Sequence, residues 1–148
     1  MPFVHLGLGT NLGDKEANLN AAIAKLSKLE AVIKQSSFYN SIPWGFESGN
    51  HFLNAVVLIE TTLSPLDLLA QTQQIESELG RTTKSVGTYS DRIIDIDILL
   101  YDKLIVNTQE LKIPHPLIAE RDFVLIPMLE ISPNASNPIT GETYKNFR

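Results

Sequence analysis

The chain has 148 residues, 43% of them apolar and 20% charged, a length and balance suited to one globular domain with a real core. Its net charge of −5 excludes a broad nucleic-acid footprint, and the absence of cysteine excludes disulfides, thiolate zinc sites and a Cys nucleophile. The opening "MPFVHLGLGTNLG" lacks the charged start and long apolar run of a signal peptide, and no apolar run could span a bilayer, so a soluble cytoplasmic protein without nucleic-acid or membrane partners is expected.

Val4, Leu6 and Leu8 alternate with His5, Gly7 and Gly9, which predicts a first strand with one flat, glycine-bearing face. Asp14 can cap a helix whose Leu19, Ala22, Ile23, Leu26 and Leu29 recur at helical spacing. A second strand is expected over residues 32–39, followed by a loop of turn formers that also carries Trp44 and Phe46. The third strand begins at Phe52. Ser64, Pro65 and Asp67 then give a cap, an N1 proline and an N3 carboxylate, starting a helix through Leu68, Leu69, Thr72, Ile75 and Leu79 that Gly80 ends.

A polar loop, residues 81–92, leads into a fourth strand within "DRIIDIDILLYD". The order β-α-β-β-α-β predicts a ferredoxin-like α+β fold, an antiparallel sheet with helices packed on one face. Extra C-terminal elements follow. "KLIV" reads as a short strand, and "PLIAERDFVLIPMLEI" as partly helical, interrupted by Pro127.

Aspartate is a poor strand former, yet Asp95 and Asp97 stand inside the fourth strand. Alternation puts Ile94, Ile96, Ile98 and Leu100 on one face, toward the helices, and both aspartates on the other, with Cα atoms roughly 7 Å apart. Two carboxylates at that spacing either line a solvated face or hold a hard cation such as Mg²⁺ together with substrate phosphates. Arg81, Lys84 and Arg92 in the preceding loop are either solubilising charge or partners of a polyphosphate. Taken together, the carboxylates and the cations favour a metal–nucleotide site.

The glycines of "GLGTNLG" are misplaced for a dinucleotide fingerprint, since the third falls at Gly13 rather than at position 12, and they read as a tight strand-to-helix turn. Phe52 and Asn54 share a strand face, where they either stack on and read a flat heterocycle or form a plain apolar cluster. His115, between two prolines, either donates to a phosphate or braces a turn. The three histidines are scattered without zinc-ligand spacing, and no Ser-His-Asp arrangement or obvious general base is visible. Phosphoryl-type transfer, in which positioning and charge neutralisation supply most of the catalysis, needs none.

"GTNLG", "SSFYNSIPWG", "FLNAVV", "QQIESELGR", "DRIIDIDILLY" and "IPHPLIAERDFVLIPMLEISP" occur in this order over nearly the whole length. In this the chain resembles the 6-hydroxymethyl-7,8-dihydropterin pyrophosphokinases of folate biosynthesis. The resemblance implies a monomeric ferredoxin-like enzyme that moves the β,γ-diphosphate of ATP onto the pterin hydroxymethyl group and leaves AMP. It also implies two Mg²⁺ ions on Asp95 and Asp97, and a pterin held between Phe52 and Phe123. Asn54 would read the pterin edge, with Ser41, Ile42 and Trp44 beside it. Glu76, Lys84, Ile98, His115 and Arg121 would contact the nucleotide, while Arg81 and Arg92 close over the reacting phosphates. The chain departs from the pattern at Phe52, Thr83, Tyr89, Lys112 and Pro116, and its 81–92 loop is one residue longer. Two other classes fit the residues alone: a ferredoxin-like regulatory module that binds a metabolite without chemistry, and a metal-dependent phosphohydrolase.

Overall fold

The structure is a computed structural model and describes residues 2–42, 51–80 and 93–148. The described residues form β1 (Phe3–Thr10), α1 (Lys15–Leu29), β2 (Ala31–Gln35), β3 (Tyr39–Ser41), β4 (Phe52–Glu60), α2 (Pro65–Glu78) and β5 (Asp95–Tyr101). A small hairpin of β6 (Val106–Asn107) and β7 (Lys112–Ile113) follows, then α3 (Asp122–Ile131), with single 3-10 turns at Ile118–Glu120 and Tyr144–Phe147. The main sheet runs β2-β4-β1-β5, every pair antiparallel, with β3 also on β4. With β2 and β3 taken together, this is the ferredoxin-like order expected from the sequence.

The two predicted helices start where their caps say. Asp14 accepts from the Ala17 N–H at 3.1 Å, and Ser64 accepts from the Asp67 N–H at 3.3 Å. Leu19, Ala22 and Leu26 of α1 and Leu68 and Ile75 of α2 are fully buried against Val4, Leu6, Leu8, Ala55, Val57, Ile59, Ile94 and Ile96. Each such aliphatic side chain contributes roughly 2 kcal/mol by leaving water, so this face holds the sheet and helices together. Leu29 departs from the predicted stripe: it is 51% exposed, at the end of α1 where the sheet no longer reaches it.

Three further differences have physical causes. The second strand is broken at residues 36–38, where the Ser36 hydroxyl accepts from the Val56 N–H and Glu130 of α3 accepts from the Ser37 N–H and hydroxyl. Pro127 lies inside α3 rather than interrupting it, since a proline in a helix removes one bond, here to the Phe123 carbonyl, and the surrounding apolar burial outweighs that loss. Finally, α3 packs on the second sheet face, joining Leu125, Met128, Leu129 and Ile131 to Val56, Leu99 and Leu100. Helices therefore lie on both faces, with α3 an addition to the expected layer.

Leu100 belongs to that second face, not to the row of Ile94, Ile96 and Ile98. In the β1–β5 register His5 opposes Leu100 but Leu6 opposes Ile98, so Leu99 is an extra, bulged residue. A bulge resets the alternation, which carries Leu100 to the α3 side and Tyr101 back to the α1–α2 side.

Candidate active site

The site begins with the register of β1. Gly9 opposes Asn54 of β4 on one side and Asp95 of β5 on the other, and Gly7 likewise opposes Val56 and Asp97. Directly opposed residues project from the same sheet face, and residues two apart on a strand share it. Phe52, Asn54, Gly9, Gly7, Asp95 and Asp97 therefore occupy one face, the one turned away from α1 and α2. With strands about 4.8 Å apart, Asn54 and Asp95 stand roughly 10 Å from each other across a strip that carries no side chain.

Asp95 and Asp97 are half-buried at the β5 side of this strip. No group of three or more His, Cys, Asp or Glu residues able to hold a metal occurs among the described residues. Two carboxylates alone do not fill the shell of a hard cation, but with phosphate and water oxygens they suit Mg²⁺. Between them Ile96 turns its side chain into the core and its N–H outward, where the carboxylate of Glu76, only 2% exposed, accepts at 2.7 Å. Ile98 has the same orientation. Its side chain packs in the core, and its backbone N–H and C=O lie on the outer edge of β5, the side away from β1.

At the β4 side Asn54 is 4% exposed, and its amide nitrogen donates to the Ser41 hydroxyl at 2.8 Å and to the Tyr39 carbonyl at 3.2 Å. Asn54 is thus anchored to β3 and lies on the face of the strip. Phe52 is buried beside it, and Phe123 is half-buried in the first turn of α3, the helix packed on this face. The Arg121 guanidinium, at the start of the same helix, lies 5.8 Å from the Phe123 ring centroid, within cation–π range. Ile42, by contrast, is 72% exposed.

His115 is fixed at both backbone and ring. Its N–H donates to the Leu99 carbonyl at 2.9 Å, which ties it beside β5. Its Nδ1 accepts from the Leu117 N–H at 3.1 Å, so in the neutral ring the proton resides on Nε2, the nitrogen that then acts as donor. His115 also lines a cavity of about 450 Å³ with Lys112, Pro116, Ile118, Ile139 and Tyr144, which shares no residue with the Asn54–Gly9–Asp95 row.

Trp44, Phe46, Arg81, Thr83, Lys84, Tyr89 and Arg92 lie outside the described residues. The bond from the Leu117 N–H is the turn brace that the sequence left open for His115. The "GTNLG" turn is as read: Gly13 has φ +68, and the Asn18 amide donates to the Thr10 hydroxyl and the Leu12 carbonyl. His5 stands apart from the site, at the opposite end of β1. Its Nε2 is 2.7 Å from the Ser132 hydroxyl, and burial, helped by Lys34, pushes the ring down to about 4.

Comparison with known proteins bears on this geometry. The sequence model of the family described as 7,8-dihydro-6-hydroxymethylpterin-pyrophosphokinase (HPPK) matches residues 5–133. The 2-amino-4-hydroxy-6-hydroxymethyldihydropteridine pyrophosphokinase of Aquifex aeolicus is 43% identical over 148 residues, covering 100% of this chain and 91% of its own. That of Porphyromonas gingivalis is 49% identical over 138 residues, covering 90% of this chain and 92% of its own. A crystallised HPPK-DHPS in complex with substrates superposes with a TM-score of 0.79 over 99% of this chain. At 15% identity that likeness speaks to the fold, and this chain spans 42% of that one.

Proposed function

Because the chain belongs to the 7,8-dihydro-6-hydroxymethylpterin-pyrophosphokinase family, we propose that the Asn54–Gly9–Asp95 strip is where its two substrates meet. The protein is a diphosphokinase of folate biosynthesis: it transfers the β,γ-diphosphate of ATP to the hydroxymethyl group of 6-hydroxymethyl-7,8-dihydropterin. One observation carries the assignment of roles. The apolar ring and amide of Phe52 and Asn54 lie on the same sheet face as Asp95 and Asp97, with only glycine between them. A flat heterocycle held over Phe52 and Asn54 can thus direct its hydroxymethyl arm at a polyphosphate held over the aspartates.

On this reading Phe52 and Phe123 sandwich the pterin, and Asn54, Ser41, Ile42 and Trp44 complete its pocket. Asp95 and Asp97 would hold two Mg²⁺ ions, whose charge would offset that of the phosphates. The pterin hydroxyl attacks the β-phosphorus in line and gives up its proton to solvent as the O–P bond forms, and the bond from the β-phosphorus to the α-bridging oxygen breaks to release AMP. Arg81, Arg92 and Lys84 balance the charge that develops on the moving group and on AMP. His115 donates from Nε2 to a phosphate oxygen, Arg121 and Glu76 flank the nucleotide, and the outward backbone of Ile98 offers the adenine a donor and an acceptor.

Among the described residues no helix is long and apolar enough to cross a membrane. A single-domain, monomeric, cytoplasmic enzyme completes the proposal. Its test is product analysis by mass with ATP, Mg²⁺ and the reduced pterin alcohol. AMP and the pterin diphosphate are expected. ADP would overturn the reading, and phosphate release without the pterin would point instead to a phosphohydrolase.

A further inference from the structure

Gly9 occupies the centre of the strip, and its backbone does not require glycine. The described glycines with positive φ are Gly13, Gly80 and Gly141, so Gly9 has a conformation any residue adopts. Space is what it provides. A Cβ built there would stand 3.0 Å from Asn54 Oδ1 and 3.8 Å from a ring carbon of Phe52. The first distance is tighter than nearly all contacts a Cβ makes, so the amide must give way by a few tenths of an ångström.

The Asn54 amide has little freedom to do so. Its nitrogen is held by the Ser41 hydroxyl at 2.8 Å and the Tyr39 carbonyl at 3.2 Å, which fixes the plane and turns Oδ1 toward β1. Moving Oδ1 away from a new Cβ strains one or both of these bonds in a residue that is 4% exposed. We propose that Gly9 is a positioning residue for the acceptor: by lacking a side chain it lets the Asn54 carbonyl lie across β1, aimed at the donor edge of the pterin. Gly9 acts through Asn54, and a methyl group there misplaces the acceptor without touching the nucleotide. This rests on the pterin reading given above.

The test is a double-mutant cycle on wild type, Gly9→Ala, Asn54→Ala and the double variant, with KM measured separately for the pterin alcohol and for MgATP. Gly9→Ala is expected to raise the pterin KM roughly tenfold, the effect of misplacing one buried hydrogen bond, with the ATP KM within about twofold of wild type. In the double variant Oδ1 is gone, so the alanine at position 9 should add no further penalty to Asn54→Ala. A Gly9→Ala variant that folds with an unchanged pterin KM overturns the inference, as do penalties that simply multiply. If Gly9→Ala fails to fold, the double variant must regain the melting temperature of Asn54→Ala, and failure to regain it refutes the clash. A wild-type enzyme that makes no AMP from the pterin alcohol sinks the parent reading, a result distinct from any of these.

Discussion

Acidification is expected to weaken this fold through His5, a residue remote from the chemistry. The imidazole is pushed from 6.5 down to about 4, chiefly by burial and secondarily by Lys34. The unfolded chain takes up the proton below about pH 6.5, whereas the folded one does so only near pH 4. The stability is therefore fully present above pH 6.5 and is lost as pH falls from there to 4. A separation of about 2.5 pH units at 1.36 kcal/mol per unit gives about 3 kcal/mol in total, of which about 2.5 kcal/mol is gone by pH 4.5. The groups around the ring explain the sign. Leu58 and Leu100 flank it across the sheet, Lys34 reaches the nearby Ile131 carbonyl at 3.3 Å, and Ser132 at the end of α3 is its hydrogen-bond partner. The C-terminus of α3 would favour an imidazolium by about 0.3–1 kcal/mol, too little to offset the desolvation. Urea melts of wild type and His5→Gln from about pH 7.5 to about pH 4.5 isolate the effect, since shared carboxylate titrations cancel in the difference. The stability difference between the two proteins should move by about 2.5 kcal/mol across that range; a difference constant within about 0.5 kcal/mol would refute the linkage.

Asp95→Asn and Asp97→Asn should each lower kcat by more than about a hundredfold, since even outer-shell partners of a metal typically cost 10–100-fold, while circular dichroism and melting temperature stay close to wild type. Retained turnover in both variants would remove the metal assignment. Glu76→Ala takes away an acceptor 2.7 Å from the Ile96 N–H, and urea melts should show a loss of about 1–3 kcal/mol; Glu76→Gln, which keeps an acceptor oxygen, should lose clearly less. Asp14→Ala removes the cap of α1 and should cost about 1 kcal/mol in the same melts, with KM for both substrates unchanged.

Periodicity and capping chemistry carried the sequence reading a long way. The alternation of Val4, Leu6 and Leu8 and the caps Asp14 and Ser64 are local signals, and the structure follows them. The side of Asp95 and Asp97 was legible for the same reason, as each strand residue fixes the face of its neighbour. That logic fails at Leu99, because a bulge depends on how β1 and β5 pair and leaves no mark in the run "DILLY". The break at residues 36–38 was hidden for a similar reason, since it depends on Ser36 and Glu130, which are distant in the chain. Pro127 misled in the other direction: its propensity is local, while the burial that overrides it is tertiary. The facing of Asn54, Gly9 and Asp95 could not be read at all without the register.

α3 packs on Val56, Leu99 and Leu100 and lies against β3 and β4, on the sheet face that also carries Phe52, Asn54, Gly9 and Asp95. On that face the sheet is a floor, and the helix end that bears Phe123 is a wall standing on it. The height of that wall is the thickness of a helix, roughly 10 Å with side chains. Packing between these two layers therefore sets the relief of the face that carries Asn54 and Asp95.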